Sequence, residues 1–170
     1  MMYYSASMNI LDESLMNAVK EGKLLESSRT NIRLLLDGTK SPIAREAVEE
    51  LAAAGEWQEL NDRFYKTLAF GTGGLRGRTI GSIVTRAEQG NGGVNGRPEY
   101  PCVGTACMNY FNVGRAMRGL IIYVKKHVEA TDPGRKPRLV IGHDTRHFSR
   151  DFAEFCAKIG TDLGLSLIHI

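Results

Sequence analysis

The chain has 170 residues, 42% hydrophobic and 24% charged, which fits one domain of ordinary size or one domain with a helical appendage and argues against a chain disordered throughout. No apolar run reaches the roughly 18 residues of a membrane-spanning helix, and the Met1–Ser5 start lacks the basic and apolar regions of a signal peptide. The net charge of +3 is too small to argue for nucleic acid, and three cysteines make no disulfide framework, so reduced thiols and a cytoplasmic location are expected.

Taken in chain order, Leu11, Leu15, Ala18, Val19 and Leu24 fall near a 3.6-residue period and predict a helix over residues 8–25. Ser41-Pro42 reads as an N-cap followed by proline at the first helical position. The Ala-, Glu- and Leu-rich segment from Ile43 to Ala54 follows as helix, with Gly55 just past its end. Trp57, Leu60, Phe64 and Leu68 predict a further helix from Glu56 to Leu68. Residues 1–66 hold no cluster of His, Cys or Ser that suggests chemistry, and they read as a helical extension. They carry 8 Lys and Arg against 11 Asp and Glu, a net of −3. Residues 67–170 carry 14 against 8, a net of +6. Ten of those 14 cations are Arg, the side chain best suited to planar recognition of phosphate or carboxylate. A solvated basic surface would show the same asymmetry.

The character changes at Ala69. The segment Phe70-Gly71-Thr72-Gly73-Gly74-Leu75-Arg76-Gly77-Arg78-Thr79-Ile80-Gly81 is glycine-rich. The β-branched Thr79, Ile80, Ile83, Val84 and Thr85 predict a strand beyond it. Residues 88–101, with Gly90, Gly92, Gly93, Gly96, Pro98 and Pro101, read as an irregular loop. Val113, Met117, Leu120, Ile121, Val124 and Val128 make one apolar helical stripe, which Asp132-Pro133-Gly134 ends. Leu139-Val140-Ile141 reads as a strand buried on both faces of a parallel sheet. Phe148, Phe152, Phe155, Cys156, Ile159 and Leu163 form a second stripe, with Ser149 as its N-cap. With the apolar Leu165–Ile170 piece, the alternation predicts an α/β class for residues 67–170.

Two segments could carry chemistry. In the glycine-rich segment, closely spaced glycines let main-chain N–H groups approach an anion, and Arg76 and Arg78 add fixed cations; the alternative is a tight structural turn. It is neither a P-loop nor a dinucleotide fingerprint, since no Lys-Ser/Thr follows and Arg76 stands where the third glycine would be. Gly142-His143-Asp144-Thr145-Arg146 lies at the carboxyl end of the predicted strand, where open α/β sheets bind ligands. The alternative there is a strand-to-helix turn in which Asp144 caps backbone N–H groups and pairs with Arg146. His143, Asp144 and His147 span a turn rather than one helix face, Cys102 and Cys107 lack a second pair at zinc spacing, and no metal site is assigned. No G-x-S-x-G nucleophile elbow occurs.

Taken together, Phe70-Gly71-Thr72-Gly73-Gly74-Leu75-Arg76-Gly77 and Val140-Ile141-Gly142-His143-Asp144-Thr145-Arg146 resemble two successive signatures of the α-D-phosphohexomutases, F-G-T-x-G-L-R-G and V-x-G-x-D-x-R. The helices before the first signature are similar to those of the phosphoglucomutase and phosphopentomutase branch, and the resemblance covers roughly residues 56–165. It implies a helical extension over residues 1–66. Residues 67–170 would then be the N-terminal part of an incomplete three-layer α/β/α domain I. It implies a parent enzyme that moves a phosphoryl group between the 1- and 6-positions of a hexose, glucose first, through a phosphoserine and a bisphosphate intermediate. Magnesium and a sugar bisphosphate activator would be its cofactors and a sugar phosphate its partner. Arg76 would face the phosphoserine, Thr72, Gly73 and Gly74 would shape the loop around it, and Asp144 and Arg146 would bind substrate or hold their turn.

The family's T-A-S-H-N-P serine loop, its D-x-D-x-D metal loop, its sugar-recognition loop and its C-terminal phosphate-binding domain have no match in the chain. The resemblance therefore implies an N-terminal fragment that is inactive by itself. Phosphomannomutase, phosphopentomutase or a non-catalytic anion-binding module are the alternatives. Leu165–Ile170 reads either as a translated sequencing adaptor or as the next strand.

Overall fold

The computed structural model describes residues 2–169. They form two compact units, the first running to Met108 and the second beginning at Asn109.

The first unit opens with four helices, α1 (Met2–Lys20), α2 (Glu26–Gly38), α3 (Pro42–Ala53) and α4 (Trp57–Phe64). The stripe expected in α1 is inward, with Leu11, Leu15 and Ala18 buried, but the helix stops at Lys20 because Gly22 turns the chain at a φ of +71°. Leu24 returns to the core after that turn. Helix α2 had no sequence-based boundary, because its inward face is Ser28, Ile32 and Leu35 and the serine interrupts the apolar period. In α3 the inward side is Ala44, Ala47, Val48, Leu51 and Ala52. Its Ser41 stands at the N-cap without a side-chain capping bond, and Pro42 occupies the first turn. Helix α4 packs on α2 and α3. It ends at Phe64 rather than Leu68, since the Leu68 N–H donates to the Thr105 carbonyl at 2.7 Å.

No strand forms over Thr79–Thr85, a correction to the β-branched reading. The segment makes single backbone bonds in place of a ladder, with Cys102 N–H donating to Thr79 O at 2.8 Å and Met108 N–H to Arg78 O at 3.0 Å. Thr85 instead caps the short helix α5 (Arg86–Gln89). Its hydroxyl accepts from Glu88 N–H at 3.2 Å, and the Glu88 carboxylate accepts from Thr85 N–H at 3.0 Å. This is a reciprocal capping box. The residue 88–101 loop therefore begins as helix, and a 3₁₀ turn at Val94–Gly96 interrupts it again.

One buried cation joins these pieces. Arg63, on α4, is fully buried. Its Nε donates to Glu59 Oε1 at 2.7 Å and its Nη1 to Glu88 Oε1 at 2.6 Å. The remaining donors reach the carbonyls of Val103 and Ile83, and Val103 N–H donates to Glu88 Oε1 at 2.7 Å. The composition change after residue 66 marks where helix gives way to irregular chain. The compact unit continues to Met108 because Arg63 binds side chain and backbone on both sides of that change.

The second unit is a βαβ arrangement preceded by a helix, in the order α6 (Tyr110–Thr131), β1 (Arg138–Ile141), α7 (Ser149–Asp162) and β2 (Ser166–His169). Asn109 caps α6 by accepting from Asn112 N–H at 3.1 Å. Strands β1 and β2 pair in parallel, Arg138 opposite Ser166 and Ile141 opposite His169. Most of the Leu165–Ile170 piece thus stands as a strand, with Ile170 outside the described residues. Met117 and Ile121 of α6, Ile159 of α7 and Leu165 form the core, against which Leu139, Ile141, Phe155, Cys156 and Leu163 pack. Part of each stripe read from the sequence faces this core, Met117 and Ile121 of the first and Phe155, Cys156, Ile159 and Leu163 of the second, whereas Leu120 is exposed.

Strand β1 is partly buried, and on one face only, which corrects the two-face reading. Val140 is 61% exposed because helices α6 and α7 share the core on the Leu139 and Ile141 side and nothing described covers the other. The described residues therefore give an α/β unit of one helical layer on a two-stranded sheet. Among the described residues no helix is long and apolar enough to cross a membrane.

The one-sided sheet makes a testable contrast. Ile121→Ala removes a side chain 1% exposed and should cost about 2–5 kcal/mol in urea unfolding. Val140→Thr, on the open face, should stay within about 0.5 kcal/mol of the parent. Comparable losses in both variants would show the Val140 face to be packed.

Candidate functional site

The glycine segment folds as a tight turn. Gly71 N–H donates to Gly74 O and Gly74 N–H to Gly71 O, each at 3.1 Å, so Thr72 and Gly73 form the tip. Those two glycine N–H groups are spent within the turn and are not offered to an anion; the tip amides are those of Thr72 and Gly73. Gly74 has a φ of +93°, a conformation that side-chain-bearing residues avoid. Gly77 is needed for a different reason: a Cβ there would stand 3.0 Å from both Ala106 O and Met108 N. The chain leaving the turn thus lies directly against residues 106–108.

The arginines near the two signatures differ in what already holds them. Arg78 is engaged: its Nη1 donates to Ser82 Oγ at 2.8 Å and its Nη2 to Glu59 Oε2 at 3.2 Å. It is tied through Glu59 to the buried Arg63 cluster. Arg76 is exposed, and its guanidinium has no hydrogen-bonding or ionic partner among the described residues. It folds back over the turn so closely that a Cβ on Gly73 would collide with it. An exposed, uncommitted guanidinium over a glycine turn is free to meet an anionic ligand.

In the second unit, the Gly142–Arg146 segment follows β1 and leads into α7. Asp144 holds it. The Arg146 N–H donates to Asp144 Oδ1 at 3.0 Å, and the Arg146 side chain reaches Asp144 Oδ2 through Nε at 2.8 Å and Nη2 at 2.6 Å. Both side chains are exposed. Ser149 is not the N-cap of α7, a further correction. Its hydroxyl accepts from Asp144 N–H at 3.1 Å, and Phe148 takes the cap position in the left-handed region, φ 65°. That conformation costs a bulky residue about 1–3 kcal/mol. Burial of the Phe148 ring and its stacking on Phe152, centroids 6.0 Å apart, offset the cost. The geometry here is that of a locked strand-to-helix turn.

A family model described as phosphoglucomutase/phosphomannomutase, alpha/beta/alpha domain I, matches residues 86–170, half of the chain. The chain belongs to the phosphoglucomutase/phosphomannomutase family. The match takes in α5 and the whole second unit, so the V-x-G-x-D-x-R segment of this phosphohexomutase chain lies within it and the Phe70–Gly77 turn lies before it. No curated protein and no solved structure matches the chain.

The residues that hold the chain beyond the phosphohexomutase glycine turn, Glu59, Arg63 and Glu88, were not singled out from the sequence. Two signals were present: the i, i+4 spacing of Glu59 and Arg63 on α4, and the T-x-x-E pattern of Thr85 and Glu88. Among the described residues no group of three or more His, Cys, Asp or Glu is placed to hold a metal ion. His143 makes a local contact, its Nδ1 lying 3.3 Å from Asp144 O.

The Arg146 side chain, its backbone N–H and the Ser149 hydroxyl hold the Asp144 carboxyl well below the ordinary aspartate range. A depressed folded-state pKa contributes stability that is present above the unfolded value, about 3.9, and lost as pH falls through the folded value. In an NMR titration Asp144 should remain ionised well below pH 4, and Arg146→Gln should return its midpoint towards the ordinary value. An ordinary midpoint in the parent chain would contradict the locked turn.

Proposed function

We propose that this chain supplies the N-terminal part of domain I of a phosphohexomutase. The parent moves a phosphoryl group between the 1- and 6-positions of a hexose, glucose first, through a phosphoserine and a bisphosphate intermediate. The observation that carries the reading is the free Arg76 guanidinium over the Gly71–Gly74 turn, in a chain whose second half belongs to the family. Phosphoryl transfer needs positioned positive charge more than covalent chemistry from the protein. Arg78, Arg63 and Arg146 already have carboxylate partners. Among the described residues Arg76 has none, and its place over the glycine turn suits it to face a phosphoserine.

In this reading Thr72 and Gly74 fix the turn, and Gly73 leaves room for the guanidinium above it. Asp144 and Arg146 act by holding the strand-to-helix turn at the carboxyl end of β1, with Asp144 serving as the internal partner of Arg146. The uncovered Val140 face is where the second helical layer of an α/β/α domain would lie. The parent works in the cytoplasm on a sugar phosphate, with magnesium and a sugar bisphosphate activator. Magnesium, when bound, would offset phosphate charge.

In the parent enzyme, Arg76→Ala should lower kcat/KM for glucose 1-phosphate by roughly 10²–10³-fold, the scale of losing one preorganised charge stabiliser. Its circular dichroism and unfolding midpoint should not change. The 170-residue chain by itself should give no turnover with magnesium and bisphosphate present. Near-parental turnover by the Arg76→Ala enzyme would remove Arg76 from the chemistry. Preferred turnover of mannose 1-phosphate or a pentose phosphate would reassign the sugar, and turnover by the chain by itself would overturn the reading.

A further inference from the structure

We propose that Cys102 and Cys107 are a dithiol pair that closes reversibly to an intramolecular disulfide, a redox-modification site built into the segment packed against the chain that leaves the glycine turn. Both thiols are buried, and their sulfurs lie 3.1 Å apart. A disulfide bond is about 2.05 Å long, so closure asks the sulfurs to approach by only about 1 Å.

The backbone between them is already held in the shape that brings the sulfurs together. Cys102 N–H donates to Thr79 O at 2.8 Å, Ala106 N–H to Arg63 O at 2.9 Å and Met108 N–H to Arg78 O at 3.0 Å. Val103 N–H is bound by Glu88, and the Thr105 hydroxyl donates to Lys66 O at 2.8 Å. With so many of its groups tied down, the turn loses little further freedom when the bond forms. The same bonds link it to Arg78 and Thr79, the residues that leave the glycine turn.

The two sulfurs are electrostatically unlike, which assigns their roles. The hydrogen bond from Cys102, with Arg63 and Arg78 nearby, favours the Cys107 thiolate, although burial works against it. Cys102 keeps its proton, because it shares it with Cys107 and is buried. Cys107 is thus the attacking sulfur and Cys102 the resolving one.

The oxidant that fits is a small peroxide, since the burial of both sulfurs shuts out a bulky disulfide reagent. The Cys107 thiolate attacks one oxygen of hydrogen peroxide. The O–O bond breaks, hydroxide leaves and takes up the proton lost from the Cys107 thiol to give water, and Cys107 becomes a sulfenic acid. The Cys102 sulfur then attacks the sulfenic sulfur, the S–O bond breaks, and the thiol proton leaves with that oxygen as water. In sum, two thiols and one peroxide give one disulfide and two waters. The third cysteine, Cys156, lies in the other unit, on α7, and takes no part.

The test treats the reduced chain with stoichiometric hydrogen peroxide, denatures it, alkylates it with N-ethylmaleimide and reads intact mass and peptides. Two of the three thiols should be lost to alkylation, a Cys102–Cys107 linked peptide should appear, and dithiothreitol should restore both. Cys156→Ser should still form the link. Cys102→Ser and Cys107→Ser should each abolish it, and the link seen in the unchanged chain stands as the test if either variant fails to fold. Full alkylation of Cys102 and Cys107 after peroxide, their conversion to sulfinic acid, or linkage of either to Cys156 would overturn the proposal.

Discussion

A fully buried arginine is the constraint around which the first unit is arranged. Burying the Arg63 guanidinium carries a desolvation penalty of several kcal/mol, which only well-placed acceptors repay. Glu59 and Glu88 supply them, together with the carbonyls of Ile83 and Val103. Each carboxylate is in turn satisfied from elsewhere. Glu88 accepts from Thr85 and from Val103 N–H, and Glu59 from Arg78. The cluster therefore draws α4, the Thr79–Thr85 segment, α5 and the residue 102–107 turn into one body. It fixes irregular chain that has no sheet ladder of its own.

The same arrangement decides which positive charge is left to act. Glu59 engages Arg78 at the end of the glycine-rich segment, and Asp144 engages Arg146. Arg76 stays exposed over a turn whose glycines are closed on each other. A charge committed to an internal carboxylate has little to offer a phosphate, whereas an uncommitted guanidinium retains its planar donors. The backbone just past Arg76 is held close, with Gly77 against residues 106–108. That closeness also places the paired thiols of Cys102 and Cys107 behind the segment that leaves the turn.

Much of the fold was legible where burial is one-sided and periodic. The α6 and α7 stripes, the Pro42 helix start and the turn at Asp132–Gly134 all emerged because apolar spacing and backbone breakers act locally. The Asp144–Arg146 pairing was one of two readings for that turn, since an acid and a base two residues apart have an obvious local use. The failures share a cause. Thr85 counted as a β-branched strand residue, yet its hydroxyl belongs to a capping box completed by Glu88. Val140 counted as buried, yet burial depends on neighbours that local pattern does not reveal. Arg63 was not singled out, because every partner but Glu59 lies 20 to 40 residues away. Long-range polar pairing leaves no periodic trace.

The most direct measurement is amide hydrogen exchange on the parent chain and on Arg63→Met, which keeps the side-chain bulk and removes the charge. The account predicts that removal leaves Glu59 and Glu88 buried without their cation, at a cost of about 3–5 kcal/mol. The amides of Cys102, Val103, Ala106 and Met108 should then lose protection together. Retained protection at those four amides, with an unchanged urea midpoint, would show that the first unit stands without its buried arginine and would contradict the account.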